Sequence, residues 1–201
     1  DPVAEKCGAV NTICIKDGKY YGYNTDGGGF LRALGDMGVS PAGKRVLLLG
    51  AGGAAKAVAA ALSEAGAMVT VANRTVEKAA AICQMAPEHL TPAGFEIDKL
   101  CKLSENTHIL INCTSLGMAG TESRFADLSF VHALSPTAVV CDAIYAPPET
   151  ALLRRARETG RPAMNGMGML LHQAILALEH FTGEPLDAEK AKAAALAALK
   201  A

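Results

Sequence analysis

Val46-Leu47-Leu48-Leu49-Gly50-Ala51-Gly52-Gly53-Ala54-Ala55 runs from four apolar residues through a glycine turn into a helix-like stretch. It fits G-x-G-x-x-A, and each position has a physical reason. Gly50 permits the tight turn, Gly52 lets the backbone approach a pyrophosphate, and Ala55 lets the helix pack closely on the strand. The helix N-terminus then offers unpaired N–H groups and the positive end of a dipole to phosphates. A glycine turn alone is weak evidence. Here an apolar strand precedes it, the helix Ala54–Ala65 follows, and a second strand, Val69–Ala72, falls where a βαβ unit requires one.

Outward from this unit, short apolar strands alternate with helices. Val76–Met85 reads as a helix, Ile109–Asn112 and Val139–Cys141 as strands, and Thr150–Glu158 as a helix. Fully apolar strands between helices imply a parallel sheet covered on both faces. The expected class is therefore α/β, a Rossmann-type doubly wound parallel sheet. Upstream, Ala9–Ile15 and Tyr20–Tyr23 predict a hairpin, because Asp17-Gly18 lies between apolar runs. Asn24-Thr25-Asp26-Gly27-Gly28-Gly29 reads as a loop, followed by a helix-like stretch through Leu34 to about Met37. Downstream, Met167–Phe181 has a periodic apolar face of Met167, Leu170, Leu171, Ala174, Leu178 and Phe181. A last Ala-rich helix, Asp187–Lys200, is expected to start from an Asp187 cap.

Composition narrows the function. With 201 residues and half of them hydrophobic, the chain can bury a sizeable core. Its 19 basic and 20 acidic residues leave a net charge of −1, which argues against nucleic acid or a membrane surface as partner. No apolar run reaches the length of a membrane span, and no signal peptide is visible. The six cysteines form no C-x-x-C pair and read as free thiols of a reducing compartment, cytoplasm or organelle stroma. The five histidines show no ligand spacing, so no metal site is expected. The chain starts at Asp1 rather than Met, which suggests a fragment or a processed product.

The second strand ends Val71-Ala72-Asn73-Arg74-Thr75. A unit built for NAD usually places an acid here to accept the ribose 2′-hydroxyl. Instead Arg74 can fork onto a 2′-phosphate, Thr75 can donate its hydroxyl, and Lys78 follows within one turn. Solvated cations at a helix start would oppose the helix dipole, an objection that a bound dianion removes. The expected cofactor is NADP. Asp26 is open to two readings. It could cap the helix that follows, or, given burial or a cationic partner, serve acid–base chemistry on a carbonyl.

The order of motifs resembles that of the shikimate dehydrogenase family. The matching stretches are Gly8-Ala9-Val10-Asn11-Thr12, Gly22-Tyr23-Asn24-Thr25-Asp26-Gly27, Gly50–Ala54, Asn73-Arg74-Thr75, Asn112–Met118, Asp142-Ala143-Ile144-Tyr145, and Gly166–Leu170 with Gln173. The resemblance implies reversible, NADP-dependent reduction of 3-dehydroshikimate to shikimate. It implies that Asn11 and Asp26 hold substrate hydroxyls, that Asp26 pairs with a catalytic lysine, and that Tyr145 and Gln173 contact substrate. It implies cofactor contacts for Gly50, Ala51, Gly52, Gly53, Ala54, Asn73, Arg74, Thr75, Lys78, Ala143 and Gly166. By the same analogy the loop with Thr114, Ser115 and Met118 lies near the nicotinamide. Tyr145 could instead pack at a strand end, and Gln173 could be a boundary residue of its helix.

One departure matters. The family's Ser-x-Ser clamp and catalytic lysine lie upstream of Gly-Ala-Val-Asn-Thr, and the residues before Asn11 contain neither. Lys6 is too close to that motif to be the lysine. The expectation is a divided protein: residues 1–40 a remnant of a substrate domain that includes the hairpin, 41–165 the NADP-binding domain, and 166–201 helices packing back toward the substrate domain. The missing segment would lie on the parent chain or another chain. An NAD-dependent quinate/shikimate dehydrogenase and a non-catalytic NADP-binding module are the competing expectations.

Overall fold

The computed structural model describes residues 1–198. Six strands form one parallel sheet in the order β5-β4-β3-β6-β7-β8. They are β3 (Arg45–Leu49), β4 (Met68–Ala72), β5 (Leu90–Ala93), β6 (Ile109–Asn112), β7 (Val139–Asp142) and β8 (Ala163–Met164). Every pairing is parallel, with Leu49 opposite both Ala72 and Asn112. The helices are α3 (Gly53–Glu64), α4 (Val76–Cys83), α5 (Ile97–Ser104) and α6 (Ala151–Glu158). Side chains alternate across β3. Val46 and Leu48 enter a core with Val58, Leu62 and Ile82, whereas Leu47 and Leu49 enter another with Leu100, Phe130, Leu152 and Leu153. Both sheet faces are covered, as apolar strands demand.

Ahead of the sheet lie α1 (Pro2–Cys7), the antiparallel hairpin β1 (Thr12–Lys16) and β2 (Lys19–Tyr23), and α2 (Asp26–Asp36). The hairpin turn is Asp17-Gly18 with both φ angles positive, at 51° and 72°. One hairpin face stays open: Ile13, Ile15 and Tyr20 are 60%, 64% and 77% exposed. The chain closes with α7 (Met167–Thr182) and α8 (Ala188–Ala198). The last part of the helix expected to reach Lys200 lies outside the described residues.

Two sequence expectations change, and a strand outside the sequence reading joins the sheet. First, Gly27, Gly28 and Gly29 are not loop residues but the first turn of α2. Their missing side chains let α2 wedge between two helices. A Cβ on Gly27 would strike the Ala57 carbonyl of α3, and one on Gly29 would come within 2.7 Å of the Gln173 nitrogen on α7. Second, α7 buries Met169, His172 and Ile175, whereas Leu178 and Phe181 stand exposed. The helix is apolar almost all round, and the glycines of α2 decide which side is covered. The added strand, β5, carries Pro92, which suits it to the sheet edge and hid it from a strand reading.

The C-terminal helix is held by charge. Lys192 Nζ and His172 Nε2 each lie 2.8 Å from Asp36 Oδ2, and Lys192 also meets Glu189 Oε1 at 2.8 Å. Asp187 Oδ1 accepts from the Lys190 N–H at 3.1 Å, as the expected cap should. Among the described residues, no helix is long and apolar enough to cross a membrane.

Candidate cofactor and substrate site

The sheet order reverses direction between β3 and β6, and the loops leaving these two strands open a crevice at their C-terminal ends. Gly50 sits at that point with φ of +108°, pinned by its N–H to the Ala72 carbonyl at 2.8 Å. A Cβ there would stand 2.8 Å from the Cys113 carbonyl oxygen. Its glycine therefore serves both the turn and a close approach to the end of β6. Gly52 caps α3 with extended backbone and no side-chain hydrogen bond, and nothing lies within 4 Å of where its Cβ would be. The α3 N-terminus thus faces open space.

That space is a cavity of about 330 Å³ lined by Gly50, Ala51, Gly52, Asn73, Arg74, Thr75, Lys78, Thr114 and Ser115. The expected phosphate-binding residues, far apart in sequence, converge here. Asn73 Nδ2 donates to the Thr75 carbonyl at 2.8 Å, which shapes the loop. Thr75 caps α4 without using its hydroxyl for a side-chain cap. Among the described residues, neither Arg74 nor Lys78 enters an ion pair. The donor set is cationic and no carboxylate lines the cavity with it, which fits a phosphomonoester better than a ribose hydroxyl.

A second cavity of about 350 Å³ lies across Thr114 and Ser115, lined by Ala54, Cys113, Met118, Ala143, Ile144 and Tyr145. Tyr145 is 47% exposed at this wall rather than packed into a strand end. Gly53 lines neither cavity. Gly166 stands behind the wall, where a Cβ would collide with the Ala143 carbonyl.

The sequence reading missed the buried pair that seats these loops. Asn112 Nδ2 donates to Asp142 Oδ1 at 3.0 Å, and Asn112 Oδ1 accepts from the Thr114 N–H and hydroxyl at 3.0 and 2.6 Å. Asp142 also accepts from the Thr150 hydroxyl at 2.7 Å and the Ile144 N–H at 3.0 Å. Burial pushes the Asp142 carboxyl up, and these donors pull it the other way. Polar residues ending two otherwise apolar strands were the available signal.

Asn11, Asp26 and Gln173 form one polar cluster beside the crevice. Asn11 Nδ2 donates to Asp26 Oδ1 at 2.8 Å and lies 3.0 Å from Thr25 Oγ1. The Thr25 N–H donates to Asn11 Oδ1 at 3.0 Å, and its hydroxyl meets Gln173 Oε1 at 3.3 Å. Thr25, at the centre, was not singled out from the sequence. It also takes the helix-cap position, so Asp26 is the first residue of α2 rather than its cap. The negative charge of Asp26 reaches Cys113, whose thiol is pushed up by burial first and then by Asp142, Cys141 and Asp26. Among the described residues, no cation pairs with Asp26. Lys6 is engaged instead with Glu64 at 3.0 Å. No group of three or more His, Cys, Asp or Glu side chains among the described residues could hold a metal ion.

A parallel sheet in this strand order, with a glycine turn at its switch point and a cationic pocket at the next strand end, defines a Rossmann-type dinucleotide-binding protein. Residues 34–126 match the family model described as shikimate / quinate 5-dehydrogenase, and residues 166–196 match that of the shikimate 5′-dehydrogenase C-terminal domain. A shikimate dehydrogenase (NADP(+)) of Alkaliphilus metalliredigens is 40% identical over 201 residues, covering 96% of this chain and 70% of that one. Among solved structures, the Listeria monocytogenes shikimate 5-dehydrogenase in complex with shikimate and NAD aligns with TM-score 0.86 and 31% identity, over 96% of this chain and 69% of that one. The Thermus thermophilus shikimate 5-dehydrogenase in complex with NADP(H) and shikimate aligns with TM-score 0.80 and 34% identity, over 98% and 71%. The chain belongs to the shikimate dehydrogenase family and spans about two thirds of the length of these relatives.

Proposed function

We propose that this chain is the NADP-binding part of a shikimate dehydrogenase, which reversibly reduces 3-dehydroshikimate to shikimate. One observation supports this above others. The Asn11–Thr25–Asp26–Gln173 cluster lies close enough to Cys113 in the cofactor crevice for the Asp26 charge to act there, and the adenosine end of that crevice is lined by Arg74, Thr75 and Lys78 with no carboxylate in the lining. A pure cofactor binder would have no use for that cluster. The division of labour follows: residues 1–40 and 166–201 serve the substrate side, and 41–165 the cofactor.

NADPH, when bound, supplies the hydride. Gly50–Ala54 and the α3 N-terminus hold its pyrophosphate, and Asn73, Arg74, Thr75 and Lys78 hold its 2′-phosphate. Thr114, Ser115, Met118 and Ala143 shape the space for the nicotinamide, with Gly166 as the backing that keeps Ala143 in place. Asp26 accepts from the ring hydroxyls of the substrate and the Asn11 amide donates to them, with Tyr145 and Gln173 at its sides, so that the ketone is fixed for transfer. Asn11, which donates to Asp26, keeps that carboxylate oriented as an acceptor. The proton at the carbonyl oxygen needs a cation paired with Asp26, and we assign that lysine to the third of the relatives' length that this chain does not span.

Thermal melting of the 201-residue chain tests the reading. NADPH at a hundred times its Kd should stabilise it by about 2.7 kcal/mol. Shikimate should add a smaller shift that Asp26→Ala abolishes while the NADPH shift persists. No response to NADPH would remove the cofactor assignment, and full specific activity from this chain alone would remove the divided active site. A preference for NADH would favour an NAD-dependent quinate/shikimate dehydrogenase instead.

A further inference from the structure

The cofactor cavity does not end at Arg74. A further cavity of about 370 Å³ shares Arg74, Phe95 and Leu116 with it and continues past Ile97 and Phe125 to Arg124. Ser123 lines the first cavity and Arg124 the next, so the loop between β6 and the turn at Ser129 straddles both. We infer that Arg124 belongs to the cofactor site, where it closes over the adenine base and binds NADPH and NADH alike. This rests on the NADP reading above and adds a residue outside the family motifs quoted for it.

Connectivity limits where the base can lie. Adenine is bonded to the same ribose that carries the 2′-phosphate, so cations gripping that phosphate leave the base about one ring away. The neighbouring space suits a flat, uncharged ring. Phe95 and Phe125 stand nearly parallel, 18° apart with centroids at 6.4 Å, and Phe125 is backed by the buried Phe130 at 6.0 Å. A guanidinium plane stacks on such a base by cation–π attraction.

Arg124 is prepared for this role. Its Nη1 donates to the Thr121 and Ser123 carbonyls at 2.6 and 2.9 Å, which folds the side chain along its own loop. The loop is pinned in turn by the Gly117 N–H to the Ser123 carbonyl and the Ala119 N–H to the Ala146 carbonyl, both at 2.9 Å. Asp127 lines the same cavity, and its Oδ1 accepts from the Ser129 N–H at 2.6 Å. Among the described residues, Arg124 makes no ion pair.

Base and phosphate contacts leave different signatures, because NADPH and NADH share the base and differ in the phosphate. Fluorescence titration of NADPH and NADH against the 201-residue chain and Arg124→Ala reads this directly. The expected result is a Kd raised about three- to tenfold for both cofactors by the same factor. Arg124→Lys, which keeps the charge and loses the plane, should recover only part of it. The exposed Arg124 should leave the melting temperature of the cofactor-free chain unchanged. Both Kd values staying within about twofold of the unsubstituted chain would overturn the inference, as would a loss confined to NADPH. If the unsubstituted chain bound neither cofactor, the NADP reading itself would fall, and this inference with it.

Discussion

Arg74→Ala removes a cation from the adenosine end while leaving the fold's own contacts in place. Arg74 is exposed and forms no ion pair among the described residues, so the substitution strands no buried partner. A charge-assisted hydrogen bond contributes about 1.5–3 kcal/mol. Solvent and salt at this exposed position set the expectation at the lower end, about 1.5–2 kcal/mol. At about 1.4 kcal/mol per factor of ten, the Kd for NADPH should rise about 10- to 30-fold. NADH presents a hydroxyl where NADPH presents the phosphate, and its Kd should change by less than about threefold. Fluorescence titrations of both cofactors with the two proteins give the ratio. The preference for NADPH should also shrink between about 0.1 and 1 M salt, as the Debye length falls from about 10 to about 3 Å. Equal weakening of both cofactors would refute the assignment of Arg74 to the 2′-phosphate.

Other substitutions test the scaffold. Gly50→Ala places a methyl 2.8 Å from the Cys113 carbonyl at a φ of +108°, and should cost about 2–3 kcal/mol of stability together with cofactor binding. Denaturant unfolding and NADPH titration check both, and a variant of native stability would refute the close-approach role. Gly29→Ala sets a methyl 2.7 Å from the Gln173 nitrogen. It should lower stability by about 1–3 kcal/mol and shift the Gln173 side chain, read by melting and by loss of the shikimate response. The clamp on α8 gives a pH signature. Burial acts to raise the Asp36 carboxyl, but hydrogen bonds from Lys192 and His172 outweigh it and hold it below the usual carboxylate range. Lys192 is held above the usual lysine range by Asp36 and then Glu189. The contribution of the Asp36–Lys192 pair is therefore fully present between about pH 4 and about pH 10. It is lost as pH falls through the depressed Asp36 value or rises through the elevated Lys192 value. Hydrogen exchange of α8 amides against pH should show both limbs, and survival of the acid limb in Asp36→Asn would exclude this origin.

Local chemistry made the central βαβ unit legible, because Gly50, Gly52 and Ala55 each answer a backbone demand that no distant residue alters. The hairpin was equally plain, since Asp17-Gly18 fixes its own turn. Pairing across the fold was not. Asn11 and Asp26 are separated by a whole hairpin and meet only because β1 folds back along β2, and no spacing rule announces that contact. Thr25 bridges to Gln173, which only the α2–α7 packing brings near. The α5 helix, with Ile97, Leu100 and Cys101 at helical spacing, did carry a signal that β5 and its Pro92 obscured. The buried face of α7 was misjudged because a helix apolar almost all round has no strongly preferred stripe. Phe95 and Arg124 sit in segments with no periodicity, where only a shared cavity reveals a shared role.

Pro92 has a consequence for how copies of this chain avoid one another. A six-stranded parallel sheet has two ends, and an unpaired strand edge is a template for adding foreign strands and hence for aggregation. Here one end is β5, which lacks a backbone donor at Pro92, and the other is β8, only two residues long. Both ends are poor templates. In the 201-residue chain taken alone, the exposed weak point is the hairpin, whose open face carries Ile13, Ile15 and Tyr20. Solubility at high concentration should respond to charges introduced there far more than to charges introduced along β5 or β8.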